Sequence, residues 1–196
     1  HGPLMLYARY MTRHWSTYIQ KTQNSSPRSL HLEALRYCPN AHTALDLGAG
    51  ALNESRYLLQ QGFTVTAVDN EPSVAQIKGD VEVVLSSIEE YQFPYLSFDL
   101  IVALYVLPFL KKEVIPGVMA NIITSLTQQG VFACQFFGAN DDWHGDCTTH
   151  TEVEIRALLR GMEIIKLEEQ EYDQPTAAGK PKHWHVFEVI ARKSTS

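Results

Sequence analysis

Cysteine is scarce in this 196-residue chain: Cys38, Cys134 and Cys147 form no CxxC pair, and three thiols cannot all pair in a disulfide framework. A reducing compartment, the cytoplasm, is the expected setting. Long apolar runs are missing too. Ile101 to Leu110 is among the longest and falls well short of the ~20 residues that a bilayer span needs. The first residues also lack a signal-like apolar core, so neither membrane association nor export is expected. Basic residues are outnumbered, 16 Lys and Arg against 22 Asp and Glu, for a net charge of -6. No excess remains to neutralise a row of phosphates, which excludes nucleic acid as the principal partner. There is no HExxH, no CxxC and no carboxylate at ligand spacing, so no metal is expected. What is present, 45% apolar and 19% charged residues, suffices for one core of ordinary domain size. A monomer or a homodimer is expected.

Residues 1–4 precede Met5 and read as a cloning remnant. Residues 5–40 form a helical flank or lid, with an aromatic-rich helix from Met5 to Gln20 and a second from Ser29 to Tyr37, the latter entered through the turn residues Asn24 to Arg28. From residue 41 to 196 short apolar runs alternate with helical patterns, the mark of a parallel sheet covered on both faces. Strands are predicted at Ala44–Leu47, Thr64–Val68, Val81–Leu85, Phe98–Leu104 and Gly130–Phe137. Helices are predicted at Leu52–Gln61, Glu71–Lys78 and Lys111–Leu126. After a polar loop to Thr151 come a helix at Glu152–Leu159 and two strands, Glu163–Tyr172 and His183–Ala191, able to pair antiparallel.

Asp46-Leu47-Gly48-Ala49-Gly50 joins the first strand to a helix, which sets backbone amides and a helix start at the carboxyl edge of the sheet. Asp69 stands at the end of the neighbouring strand, where a carboxylate can accept both hydroxyls of a ribose. An adenosine-containing cofactor fits both features. A nicotinamide or flavin dinucleotide brings an anionic pyrophosphate and favours a third small residue, but that position is Asn53. Asp46 opposes a pyrophosphate and attracts the methionine ammonium of S-adenosylmethionine. The balance favours S-adenosylmethionine, with an NAD(P)-binding oxidoreductase and a non-catalytic S-adenosylmethionine-binding protein as the alternatives.

With Ala44 to Gly50, Val65 to Asp69 and Phe98 to Val102, the sequence resembles the class I S-adenosylmethionine-dependent methyltransferases. Leu107-Pro108-Phe109 and Pro181 to Phe187 make it similar, more narrowly, to small bacterial methyltransferases of the tellurite-resistance type. The resemblance implies a Rossmann-like α/β fold with a mostly parallel seven-stranded sheet whose final strand is antiparallel, helices on both faces and an N-terminal helical flank. It implies that residues 41–196 bind S-adenosyl-L-methionine and methylate a small molecule. Asp46, Gly48, Ala49 and Gly50 would hold the methionine end and Asp69 the ribose. Asn70, Ser87 and Ile88 would lie by the adenine, and Ala103, Leu104 and Tyr105 by the sulfonium, with Arg28 pairing with the cofactor carboxylate. One departure stands out: many members carry a third glycine where this chain has Leu52.

In-line methyl transfer asks the protein mainly for alignment, so no catalytic base is required in advance. If the acceptor must lose a proton, His183, His185 and Tyr105 are the candidates. His183 and His185 share one face of a strand while Trp184 points the other way, and a metal site with His144 or His150 is the less favoured use of the pair. Trp15, Tyr18 and Trp143 are the candidates to close a substrate pocket.

Overall fold

The computed structural model describes residues 14–77 and 79–195. Residues 1–4, the first part of the predicted Met5–Gln20 helix, and Lys78 lie outside them. Helix α1 covers residues 14–22. Then come α2 (Ser29–Leu35), β1 (Thr43–Leu47), α3 (Asn53–Gln60), β2 (Thr64–Asp69), β3 (Glu82–Leu85), β4 (Phe98–Ala103), α4 (Ile115–Ser125), β5 (Leu126–Phe137), α5 (Glu152–Leu158), β6 (Met162–Asp173) and β7 (His183–Lys193).

The seven strands form one sheet in the order β3-β2-β1-β4-β5-β7-β6. All neighbours pair parallel except at β7, which runs antiparallel to both β5 and β6. The antiparallel strand is thus the last one, and the Rossmann-like class I architecture expected from sequence is the one observed. Because side chains alternate along a strand, each face takes every second residue. Ile101, Phe132, Phe136, Phe187 and Val189 pack on one face with Ile115, Met119 and Ile122 of α4 and Ile155 of α5. Ala44, Leu100, Val102, Ala133 and Ile190 pack on the other with Leu30 and Ala34 of α2 and Leu58 of α3.

Three elements depart from their predicted form. The segment after β2 is a 3-10 helix, Pro72–Gln76, rather than an α-helix from Glu71 to Lys78. Helix α4 starts at Ile115, not Lys111: Pro116 has no N–H to donate and belongs in a first turn, and Leu107–Phe109 forms a separate 3-10 turn before it. Strand β5 starts at Leu126 rather than Gly130, because buried Leu126 already pairs with Phe98. Gln129, at φ 64°, and Gly130, where an added Cβ would meet Thr127 O at 2.8 Å, absorb the irregularity that follows. Among the described residues no helix is long and apolar enough to cross a membrane.

The amino edge of the sheet is tied by one carboxylate. Asp99 Oδ2 accepts from the amides of His42 and Thr43 (2.9 and 3.2 Å) and from Thr43 Oγ1, while its Oδ1 accepts from Thr127 Oγ1 (2.8 Å). Burial pushes this carboxyl up, but those donors outweigh it, and the net displacement is below the ordinary value. Asp99 therefore lends stability that is present above the unfolded value near 4 and lost as pH falls through the depressed one. Asp99→Ala should lower unfolding free energy by about 1–3 kcal/mol in urea titrations at pH 7, with a smaller deficit in strong acid.

Candidate functional site at the carboxyl edge of the sheet

The turn after β1 is built on its neighbour. Val68 O, at the end of β2, accepts from the amides of Gly48 (2.7 Å) and Ala49 (3.2 Å), and Asp69 Oδ2 accepts from the amide of Gly50 (2.9 Å). Gly48 (φ 65°) and Gly50 (φ 51°) sit in the left-handed region where a Cβ is costly. At Gly48 an added Cβ would also collide with Val106 Cγ2 at 2.3 Å, whereas above Gly50 only Gly48 O lies within reach, leaving open space. Leu52, which stands where a third glycine is common, keeps the conformation glycine would take (φ 61°). Its buried side chain joins Ala49, Ala51, Val74 and Ile19 of α1 in a small cluster, which compensates for the strain of about 1–2 kcal/mol.

Charge is concentrated beneath this turn. Asp46 is buried and accepts from Ser55 Oγ at 2.6 Å. Burial first, and Glu54 second, push its carboxyl up to about 7. Arg28 Nη1 donates to Glu54 Oε1 at 3.0 Å, and its guanidinium lies 5.4 Å over the Tyr105 ring. Arg28 therefore already has a protein carboxylate as partner, which the sequence did not reveal. His31 of α2 is fully buried with no hydrogen-bond partner on either ring nitrogen, and burial pushes it down to about 4, so it is neutral. Asp69 Oδ1 accepts from Glu71 N at 2.9 Å, so both its oxygens are oriented by backbone while lone pairs remain for further donors. Asn70 is exposed beside it, Ser87 is half-buried and caps its own turn by accepting from Glu90 N, and Ile88 is buried in the α4 side of the core.

Beyond β4, Ala103 and Leu104 are buried and Tyr105 turns outward with φ 54°. Its amide donates to Gln135 Oε1 at 2.8 Å, and its phenol is pushed up by burial and by Tyr172. Tyr105, Gln135 and Glu188 with Arg28, Ser29 and Leu30 line a cavity of about 260 Å³. A chain of ring contacts leads away from Tyr105: Trp184 lies 5.9 Å from Tyr105 and 5.4 Å from Trp143, and Phe109 is 6.1 Å from Trp143 and 5.5 Å from Trp15, itself 5.8 Å from Tyr18. Trp15, Tyr18 and Trp143 belong to this chain, outside the residues that line the cavity.

A buried ion pair sets two of those rings. Lys182 Nζ donates to Asp141 Oδ1 at 2.6 Å, with side chains 1% and 0% exposed, and lies 3.6 and 4.4 Å from the Trp184 and Trp143 ring centres. Asp141 also accepts from the amides of Trp143 and His185, which pins the loop after β5 onto the start of β7.

The histidine candidates are placed differently. His183 and His185 share a face, as alternation requires, but it is the face of Phe187 and Val189, opposite to the one on which Glu188 meets the cavity. His183 lies between Asp173 (2.8 Å) and Glu171 (3.1 Å), whose hydrogen bonds push its pKa up. His185 packs on Gly138, accepts the Asn140 amide at Nδ1 (3.1 Å), and so carries its proton on Nε2, bonded to Glu169 (2.7 Å). Glu169, Glu171 and His185 form the one metal-sized grouping among the described residues. In it His185 accepts from the Asn140 amide at Nδ1 and is hydrogen-bonded to Glu169 through Nε2. His144 bonds Thr149, and His150 packs on Phe136. The three thiols are free, and burial pushes all of them up, Cys38 to about 11 and Cys147 to about 12. Reading the sequence missed Gln135, Glu188, Glu54 and the Lys182–Asp141 pair. Only Gln135 left a signal, as the sole polar residue in the run Val131 to Phe137.

Residues 45–134 match the protein family described as "Methyltransferase domain". No curated protein matches the chain. Among solved structures it is similar to TehB from Haemophilus influenzae, at 19% identity and TM-score 0.73, covering 87% of this chain and 64% of that one. The present chain thus spans somewhat less than two thirds of TehB's length. It is also similar to the 1,6-didemethyltoxoflavin-N1-methyltransferase of Burkholderia thailandensis with bound 1,6-didemethyltoxoflavin and S-adenosylhomocysteine, at 24% identity and TM-score 0.72, covering 100% and 92%. The N-methyltransferase NodS from Bradyrhizobium japonicum WM9, in complex with S-adenosylhomocysteine, is 16% identical with TM-score 0.66, covering 88% and 90%.

Removing one member of a buried ion pair strands the other charge, typically at about 3–5 kcal/mol. Asp141→Ala should therefore lower unfolding free energy by about that much in guanidinium titrations. The paired Asp141→Leu, Lys182→Met exchange should recover most of the loss, because it leaves no unpaired charge.

Proposed function

We propose that this chain, a class I S-adenosylmethionine-dependent methyltransferase in fold and in its matched domain, transfers the sulfonium methyl to a small molecule held in the cavity beside Tyr105. The observation that carries the reading is the β1 turn: two glycines at positive φ, open space above Gly50, and a buried Asp46 behind it. That combination accommodates a cationic amino-acid moiety and opposes a diphosphate. When bound, S-adenosylmethionine supplies an electrophilic methyl on sulfur.

The chain's residues then divide the work of holding and aligning. Asp46 faces the ammonium end at Gly48, Ala49 and Gly50, and Asp69 offers its remaining lone pairs to the ribose hydroxyls. Asn70, Ser87 and Ile88 border the adenine. Arg28 keeps Glu54 and still has guanidinium N–H groups for the cofactor carboxylate. Ala103, Leu104 and Tyr105 border the methyl, where close packing excludes water. Orientation alone is worth on the order of 7–11 kcal/mol of barrier, which agrees with a cavity that lacks an obvious strong base. The cavity is lined by one guanidinium, Arg28, and one carboxylate, Glu188, so it favours a neutral polar acceptor over an oxyanion such as tellurite. The small-molecule enzyme from Burkholderia, whose fold this chain shares over its full length, supports the same reading.

The decisive comparison is a thermal shift with S-adenosylhomocysteine against NAD(P): stabilisation by the former is expected, and stabilisation by NAD(P) alone would reverse the assignment. Methyl transfer from labelled S-adenosylmethionine to a metabolite pool should follow, and binding without any transfer would leave only a cofactor-binding protein. Asp69→Ala should weaken S-adenosylhomocysteine by about 1–3 kcal/mol in calorimetry. Affinity should also rise with pH through about 7, because a protonated Asp46 attracts no ammonium and an ionised one does. Asp46→Asn should flatten that profile at the weak, low-pH level.

A further inference from the structure

Gln135 is a polar side chain, 2% exposed, on a strand face otherwise occupied by Val131, Ala133 and Phe137. Its orientation is determined: the Tyr105 amide is a donor, so the atom it meets at 2.8 Å must be the carboxamide oxygen. The NH2 group is thereby left without a partner among the described residues, and the residue lines the cavity. Glu188 is the residue directly across the β5–β7 ladder from Gln135. Directly opposed residues share a face, with Cβ atoms about 4.5–5.5 Å apart. Lys166 Nζ takes Glu188 Oε2 at 3.0 Å, and no protein donor among the described residues takes Oε1. The cavity wall therefore presents a neutral donor beside a carboxylate acceptor.

We infer that the acceptor is a planar heterocycle with an N–H next to a C=O on one edge, read by Gln135, which donates to the carbonyl, and Glu188, which accepts from the N–H. A donor beside an acceptor is the complement of an amide or imide edge, which meets the two wall groups with two separate atoms, its carbonyl oxygen and its N–H. The Tyr105 ring and the Arg28 guanidinium, both on the cavity wall, offer flat surfaces to a planar ring system. At about 260 Å³ the cavity suits a ligand smaller than a drug-sized molecule. The inference rests on the methyltransferase reading but adds the class of acceptor and the two residues that select it.

Lumazine, a pteridine-2,4-dione, and 1,3-dimethyllumazine, whose imide nitrogens are blocked, test it by calorimetry on protein saturated with S-adenosylhomocysteine. Wild-type protein should bind lumazine about tenfold or more tightly than the blocked compound. Gln135→Glu keeps the oxygen for Tyr105 but makes two acceptors; Glu188→Gln keeps an oxygen for Lys166 but makes two donors. Each single change should weaken lumazine by about tenfold or more, and the double exchange, which restores one donor and one acceptor, should return most of the affinity. S-adenosylhomocysteine should bind all four proteins within about threefold, a readout that also reports folding. Absence of lumazine binding, equal binding of the two lumazines, or single variants that bind lumazine as wild type does would overturn the inference and leave the methyltransferase reading intact. Failure of wild-type protein to bind S-adenosylhomocysteine would remove that reading itself.

Discussion

The carboxyl end of β2 holds the turn that leaves β1. Val68 offers a carbonyl to two successive amides and Asp69 a carboxylate to a third, so the left-handed residues Gly48 and Gly50 are held in shape by a neighbouring strand. Backbone conformations of this kind persist where surrounding bonds over-determine them. Leu52 extends the same logic, because its buried contacts with the α1 flank keep it in a conformation its side chain would otherwise resist. The turn, the first helix and the flank are one mechanical unit.

Beneath that unit lies an arrangement of charge that is incomplete by itself. Asp46 is buried with a single hydroxyl donor, His31 is buried with none, and Glu54 is matched by an Arg28 that is half-exposed. Burial of charge without full pairing is costly, and such sites cluster where ligands bind. In the function proposed above, a cationic amino-acid moiety would supply what Asp46 lacks, which joins the electrostatics of this region to the choice of cofactor.

On the far side of Tyr105 the sheet's alternation decides what the second ligand would meet. Along β7 the even-numbered Trp184 and Glu188 join the cavity side, and the odd-numbered His183 and His185 join the opposite face with Glu169, Glu171 and Asp173. The Lys182–Asp141 pair then fixes the loop after β5, so that Trp143 and Trp184 meet as a pair and not as two independent side chains.

Local pattern carried the fold a long way. The alternation of apolar runs and helices, the glycine turn, the spacing to Asp69 and the final antiparallel hairpin all rest on short-range periodicity and backbone preference, which a sequence displays directly. The placement of His183, Trp184 and His185 on alternating faces was equally legible, but which face held the cavity was not, because that depends on where α2 and α4 pack. Glu54 as the partner of Arg28, Gln135 opposite Glu188, and Asp141 against Lys182 are pairings between residues far apart along the chain. Strand register and helix packing bring them together, and neither propensity nor spacing encodes register over such separations. The sequence alone therefore determined the class of fold and the edge of the sheet where the glycine turn lies; tertiary structure decided which side chains line the cavity, since proximity across a sheet is a property of the assembled strands.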